Sequence, residues 1–414
     1  MTRLPATFIY YASEFWLYLA HTVTFTVTAV YFVQIVGMNP LQLVLVGTAM
    51  EIAVFVFEIP TGVVADTYSR RLSLIVGWLV MGAATILVGT VASFGIVLVG
   101  YALWGLGYTF TSGADQAWIT DEVGIDAVGH VFARGQQLAY VGGLLGIAIS
   151  VAVASWSLQW AIALGGALSI AFALFAALFM PETGFVKSQS QQQTGAVAAL
   201  RATAGTGVGF VRTRPLLLLI LAITFFAGAS TESFDRLWEA HFIVDVGLPE
   251  LGGFNSIVWF GIFGVVSMLL GLVGSQFLVR RFERVGQERL ARLLFGFTAV
   301  QMIATVTFAV AGSFVLAVAG MWMYYLTRSL VDPVYKTWIN EQITDSSVRA
   351  TVISISGQAD AVGQIVGGPA LGAVGSVWSI RAALLAGSVV LAPALALYAR
   401  AIRHGVDSFR PNAR

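Results

Sequence analysis

Cysteine is absent from the 414 residues, and histidine occurs only at His21, His130, His241 and His404. The first absence excludes disulfides, thiolate metal sites, iron–sulfur centres and a cysteine nucleophile. The scatter of the four histidines leaves no cluster for a metal, so neither a metal site nor a cofactor is expected. Charge is scarce too: 22 Lys and Arg with 21 Asp and Glu make up 10% of the chain, against 58% hydrophobic residues. So few charges cannot cover a soluble surface. Alternating β patterns are missing, which disfavours a barrel. No Gly-rich phosphate loop ending in Lys and Ser or Thr occurs, so nucleotide hydrolysis is not the expected energy source.

What is there is apolar sequence from end to end, with a mean hydropathy of +0.84. Apolar windows fall near 8–36, 41–65, 72–92, 95–118, 131–154, 157–180, 215–243, 253–279, 290–311, 314–339, 350–375 and 378–402. Each approaches or exceeds the roughly 20 residues a helix needs to cross a bilayer. The expected fold is an all-α membrane protein with twelve transmembrane helices in two pseudo-symmetric six-helix bundles. The first apolar run is too long for a cleaved signal and reads as an anchor.

The cations give an orientation. With the N-terminus inside, the inner segments hold Arg3, Arg70, Arg71, Arg134, Lys187, Arg201, Arg212, Arg214, Arg280, Arg281, Arg284, Arg289, Arg292, Arg349, Arg400, Arg403, Arg410 and Arg414. The outer loops hold only Arg381, and Arg236, Arg328 and Lys336 lie within spans. This bias predicts a multi-pass protein of the cell (inner) membrane with both termini cytoplasmic.

The polar, Gln-rich stretch between spans six and seven divides the chain into a bundle at 1–180, a cytoplasmic linker at 181–214 and a second bundle at 215–414. "AWITDE" and "TWINEQ" echo one another, with Trp118 and Trp338 220 residues apart; Gly135-Gln136 and Gly357-Gln358 are 222 apart. Such near-equal offsets are what a six-plus-six duplication requires.

"GVVADTYSRR", between spans two and three, resembles the signature loop of the major facilitator superfamily. Gly62, Asp66, Arg70 and Arg71 match it, while Thr67 and Ser69 replace a basic residue and a Gly. "FLVRRFERVGQERL" is a degenerate second copy, in which Arg280 replaces the Asp. The resemblance implies a twelve-span transporter working by alternating access, and a cytoplasmic gate in which Asp66 meets the second half near span eleven, where Arg349 can join it. Independently of the family, Asp66 ends a helix whose dipole disfavours a carboxylate, so it needs a cation, Arg70 or Arg71 being nearest. "GQIVGGPALGAVG" in span eleven has the Gly-rich, Pro-containing form that the superfamily's drug antiporters carry in span five. Span five here offers only "GGLLG". Close helix packing is the competing reading of both.

A charged side chain at mid-bilayer costs about 2.5–3.5 kcal/mol, so charges within spans face a protein interior or a water path. Glu51 and Glu58 lie seven residues apart on one face of span two. Span seven carries Glu232 and Arg236, and Asp235 and Glu239, each at i,i+4 spacing. This group is either a proton carrier or a charge network lining an outer vestibule. In span ten, Arg328 and Asp332 can pair within the helix, or Arg328 faces the cavity. Glu14 and His21 share a face of span one, Asp360 lies in span eleven, and Asp115 is grouped with Asp121 and Glu122 at the inner gate.

These features predict a secondary transporter with no catalytic residues, exporting a small hydrophobic or amphiphilic organic molecule, with protons and the lipid bilayer as its other partners. No nucleic-acid partner is expected, and the monomer is the expected working unit. The alternative within transport is a proton-coupled importer or facilitator of a small metabolite. Rivals from other classes are a receptor, a lipid flippase, or an intramembrane enzyme using Asp121, Glu122, Asp126 and His130 of "TDEVGIDAVGH".

Overall fold

The computed structural model describes residues 3–186, 215–250, 257–282, 287–342 and 346–404. Twelve helices form from these residues: α1 Ala6–Val36, α2 Pro40–Thr67, α3 Arg70–Thr90, α4 Phe94–Val123, α5 Ile125–Ala154 and α6 Leu158–Phe179. They continue as α7 Pro215–His241 with a π-helical end Phe242–Val246, α8 Val258–Phe282, α9 Gln287–Ala309, α10 Phe314–Gln342, α11 Ser346–Val377 and α12 Ile380–His404. Among the described residues, ten of these helices are long and apolar enough to cross a membrane. The sequence of α8 is apolar from Val258 through Gly274 and on to Val279, and in α11 Gly, Ser, Gln and Asp360 dilute the apolar character.

Local chemistry sets the ends. Ser69 caps α3 by accepting from the Leu72 amide at 2.9 Å, and Ser157 opens α6 in the same way. Each such acceptor satisfies one of the free amides of a first helical turn. Gly124, at φ 85°, supplies the single non-helical residue between α4 and α5. The polar stretch "TDEVGIDAVGH", which falls between the expected spans 95–118 and 131–154, is therefore helical on both sides of Gly124. Helices α2, α10, α11 and α12 each run through an internal proline.

The described residues fall into two compact units. One gathers Met1–Met38, Ala49–Arg201 and Glu250–Val265; the other gathers Asn39–Thr48, Ala202–Pro249 and Val266–Arg414. In the first, α1 packs on α5 and α6, and α3 on α4 and α6. In the second, the same pairings recur six helices later: α7 on α11 and α12, and α9 on α10 and α12. The two cores correspond as well. Trp118 is buried with Ile9, Leu74, Trp78 and Phe172, and Trp338 with Ile220, Leu294 and Tyr398.

A finer repeat lies at the ends of α1 and α7. Both finish in a π-helical turn, Phe32–Val36 and Phe242–Val246, followed by a glycine at positive φ, Gly37 at 71° and Gly247 at 80°. The residue before each turn is fully buried and reaches a carbonyl in the last turn of the third or ninth helix. Tyr31 donates its hydroxyl to Val88 O at 2.9 Å, and His241 Nε2 lies 3.1 Å from Phe308 O. Carbonyls in a last turn lack intrahelical partners, so a side-chain donor there both caps and docks the helix.

Candidate functional site

The motif loop is built in the first unit. Arg70 opens α3 one turn after Asp66, and their side chains pair at 3.4 Å. The same guanidinium binds the Asp121 carboxylate and donates to Ala117 O at 3.0 Å, tying the α2–α3 junction to the end of α4. Arg71 turns elsewhere. Its amide donates to Glu182 at 2.9 Å and its guanidinium to Ala177 O at 2.6 Å, while Ser69 donates to the other Glu182 oxygen at 2.7 Å. Arg70, not Arg71, is thus the cation beside Asp66. Around Gly62 a Cβ would meet nothing within 4 Å. The side chain of Arg349 and those of the second-copy loop around Arg280 lie outside the described residues.

The remaining candidates divide between the units. Glu51 and Glu58 belong to the α2 portion in the first unit, where both are half-buried. Glu232, Asp235, Arg236, Arg328, Asp332 and Asp360 belong to the second. There, Arg328 of α10 forms an ion pair with Asp235 of α7. Pairing of Arg328 with Asp332 is not what forms; Asp332 takes Lys336 one turn further on, at 2.8 Å. The Asp332 side chain is 63% exposed against 26% for Asp235, and an ion pair gains less where solvent screens it. Tyr324, stacked on Phe234 with ring centroids 3.6 Å apart, places its hydroxyl 3.5 Å from Arg328.

Glu232 and Arg236 pair along α7 at 3.5 Å, with the Glu232 side chain only 1% exposed. Gly47, at the head of α2, lies so close to this guanidinium that a Cβ there would sit 2.6 Å from Arg236 Cζ. Asp360 of α11 accepts from Gln364 at 2.7 Å, and its carboxylate lies within the field of Arg328 and Asp235.

Arg328, Asp332 and Asp360 line a cavity of about 520 Å³ in the second unit. Its apolar wall comes from Ile223, Val331, Ile353 and Leu391. Its polar groups include Gln301, Gln364 and the Tyr335 hydroxyl, which lies 3.2 Å from Ser356 Oγ. An apolar pocket with a few convergent polar groups is the usual form of a small-molecule site.

Asp115, grouped by sequence with the inner gate, departs from that group. It faces a cavity on α4, whereas Asp121 holds Arg70 and Glu122 accepts from the Thr183 hydroxyl at 2.7 Å and the Gly184 amide at 2.8 Å. Sequence reasoning also passed over His241, Tyr335 and Gln301. Only the buried histidine left a signal, as one of four in the chain.

Residues 5–342 match the Major Facilitator Superfamily. An uncharacterised MFS-type transporter of Bacillus subtilis (strain 168), YxaM, is 22% identical over 369 residues, covering 86% of each chain. Among solved structures, the peptide transporter POT in complex with sulfate superposes with a TM-score of 0.75 at 15% identity, covering 97% of this chain and 95% of that one. A bacterial homologue of the human lysosomal transporter Spinster, inward-facing and occupied, gives 0.70 at 15% identity over 98% of both chains. The nucleoside transporter NupG gives 0.67 at 14% identity, covering 98% of this chain and all of that one. At such identities these structures share the fold alone. The twelve helices, their repeated pairings and the sequence match make this chain a non-enzymatic transporter belonging to the major facilitator superfamily.

Proposed function

We propose that the protein is a secondary transporter that exports a small hydrophobic or amphiphilic organic molecule across the cell membrane in exchange for protons. The observation that carries this reading is the Asp235–Arg328 pair at the edge of the apolar 520 Å³ cavity. Asp360 shares that cavity and offers Arg328 a second carboxylate. In this reading the coupling lies with the carboxylates around Arg328: neutralising Asp235 removes its ion pair and leaves Asp360 as another carboxylate on the cavity wall. The charge arrangement at the cavity wall thereby depends on protonation, as coupling requires.

In this reading the segments 1–180 and 215–414 are the two moving halves, joined by the cytoplasmic linker 181–214, and the monomer is the working unit. Gly62, Asp66, Arg70, Arg71 and Arg349 form the cytoplasmic gate. Arg70 supports this role by bridging Asp66 and Asp121, which holds the α2–α3 junction and the end of α4 as one body. Glu51, Glu58, Glu232 and Arg236 complete the pathway charges.

Everted vesicles with an inside-acid gradient test the proposal against a panel of fluorescent amphiphiles. Exchange for protons predicts accumulation, abolished by E51Q and D235N together. Full pH-dependent accumulation by the double variant would refute the coupling assignment, and gradient-driven depletion of the vesicles would favour an importer.

A further inference from the structure

A second cavity, of about 350 Å³, lies within the first unit, bounded by α1, α3, α4 and α6. Two carboxylates face it, Glu14 of α1 and Asp115 of α4, and its lining contains no Lys or Arg. The single basic ring is His21, packed 4.3 Å from Phe25 and 6.0 Å from Trp104. Trp104 and Tyr108 stack nearly parallel, 5.8 Å apart at 8°, and Phe25 meets Trp104 edge-on at 5.6 Å.

The five serine and threonine hydroxyls of the lining sharpen the electrostatics. Ser13, Thr24, Thr85, Thr111 and Ser169 each donate to a carbonyl three or four residues back on their own helix. Their protons are spent on the backbone, and what remains for a ligand is oxygen lone pairs. Carboxylates, hydroxyl lone pairs and π faces are all electron-rich. An electron-rich cavity without a fixed cation in a low-dielectric setting calls for a positive guest.

We propose that this cavity binds the ammonium end of a lipophilic organic cation, between the carboxylates of Glu14 and Asp115 and against the faces of Trp104 and Tyr108. The proposal rests on the transport reading and names its substrate class: an amine charged at neutral pH, carrying an aromatic or alkyl body that fits a few hundred cubic ångströms. The carboxylates take the N–H groups and the charge, and the stacked rings take the body.

Binding to the purified full-length protein tests this apart from transport. The probe is dansylcadaverine, a fluorescent primary ammonium, and its neutral N-acetyl derivative is the control. The wild type should prefer the ammonium at least tenfold, and Glu14→Gln or Asp115→Asn should each weaken its binding about tenfold with little effect on the acetylated control. Trp104→Ala should weaken both probes, and Glu14→Lys, with its charge reversed, should lose the preference for the ammonium. Equal affinity for the two probes, no binding of either, or an unchanged preference in both carboxylate variants would overturn the proposal. Variants are compared only where they remain monodisperse, and Glu14→Asp should then retain the preference. PH-driven accumulation of neutral amphiphiles alongside absent ammonium selectivity would remove the cation site and leave the exporter standing. Selective binding with transport insensitive to E51Q and D235N would do the reverse.

Discussion

At the scale of single residues, His241 is held at both of its ring nitrogens. It is fully buried, with Nδ1 2.8 Å from Asp245 Oδ2 and Nε2 3.1 Å from Phe308 O. Each ring nitrogen therefore has an acceptor, and the residue ties the end of α7 to the end of α9. Hydrogen bonds involving charged groups contribute about 1.5–3 kcal/mol, so His241→Phe should lower stability by roughly that amount. Asp245→Asn keeps an acceptor oxygen and should cost less. Thermal unfolding of the two purified variants checks the order, and equal effects would show that ring packing on Phe308, not hydrogen bonding, holds the site. Sequence spacing could not reveal this role, because the carbonyl partner lies 67 residues away. The tryptophan echo was more legible. Trp118 and Trp338 are both buried, but Trp118 donates to Pro181 O at 2.9 Å, whereas Trp338 Nε1 has no acceptor among the described residues. A repeated residue kept its place in the core without keeping its hydrogen bond.

At the scale of helices, the glycine runs of α5 and α11 resolve into the same device. Gly142 and Gly146 bring α5 onto the backbone of Phe15 and Leu19 in α1, and Gly363 and Gly367 bring α11 onto Phe225 and Ala229 in α7. The Gly-rich, Pro-containing run is thus accounted for by close packing, and its presence in α11 needs no antiporter signature. A Cβ at Gly367 would lie 2.6 Å from Ala229 Cα, and one at Gly146 2.7 Å from Leu19 O, both against backbone that cannot rotate away. Overpacking of this kind costs about 1–3 kcal/mol. Gly367→Val and Gly146→Val should each depress the unfolding temperature, while Gly296→Val, where nothing lies within 4 Å, should change it little. Equal behaviour of the three would mean that the helices yield to accommodate the side chain. The existence and order of the helices were readable because an apolar run of about 20 residues has one stable form in a bilayer. Their pairing partners were not. An i,i+4 spacing sees only its own helix, so it offers Asp332 as the partner of Arg328 and cannot reveal Asp235 on α7.

At the scale of the whole molecule, the two bundles repeat the same four helix pairings, the π-turn with its positive-φ glycine, and the buried tryptophan. Shared sequence does not enforce that repetition, since the matching motifs amount to a few residues at offsets of 220 and 222. Packing geometry does, because small residues and helix-end caps recur where the same contacts must be made. Orientation has a different physical basis, resting on the cations alone. With eighteen Lys and Arg assigned to inner segments and only Arg381 to an outer loop, both termini should face the cytoplasm. Alkaline phosphatase, active only outside the cytoplasm, should be inactive when fused after Arg414 and active when inserted after Met38 or Ala311, in the α1–α2 and α9–α10 connections. Green fluorescent protein, which folds in the cytoplasm, should give the opposite pattern at the C-terminus. An active phosphatase at the C-terminus would overturn the assigned orientation. It would also place Asp66, Arg70 and Arg71 on the far side of the membrane, and the gate proposed there would have to be reassigned with them.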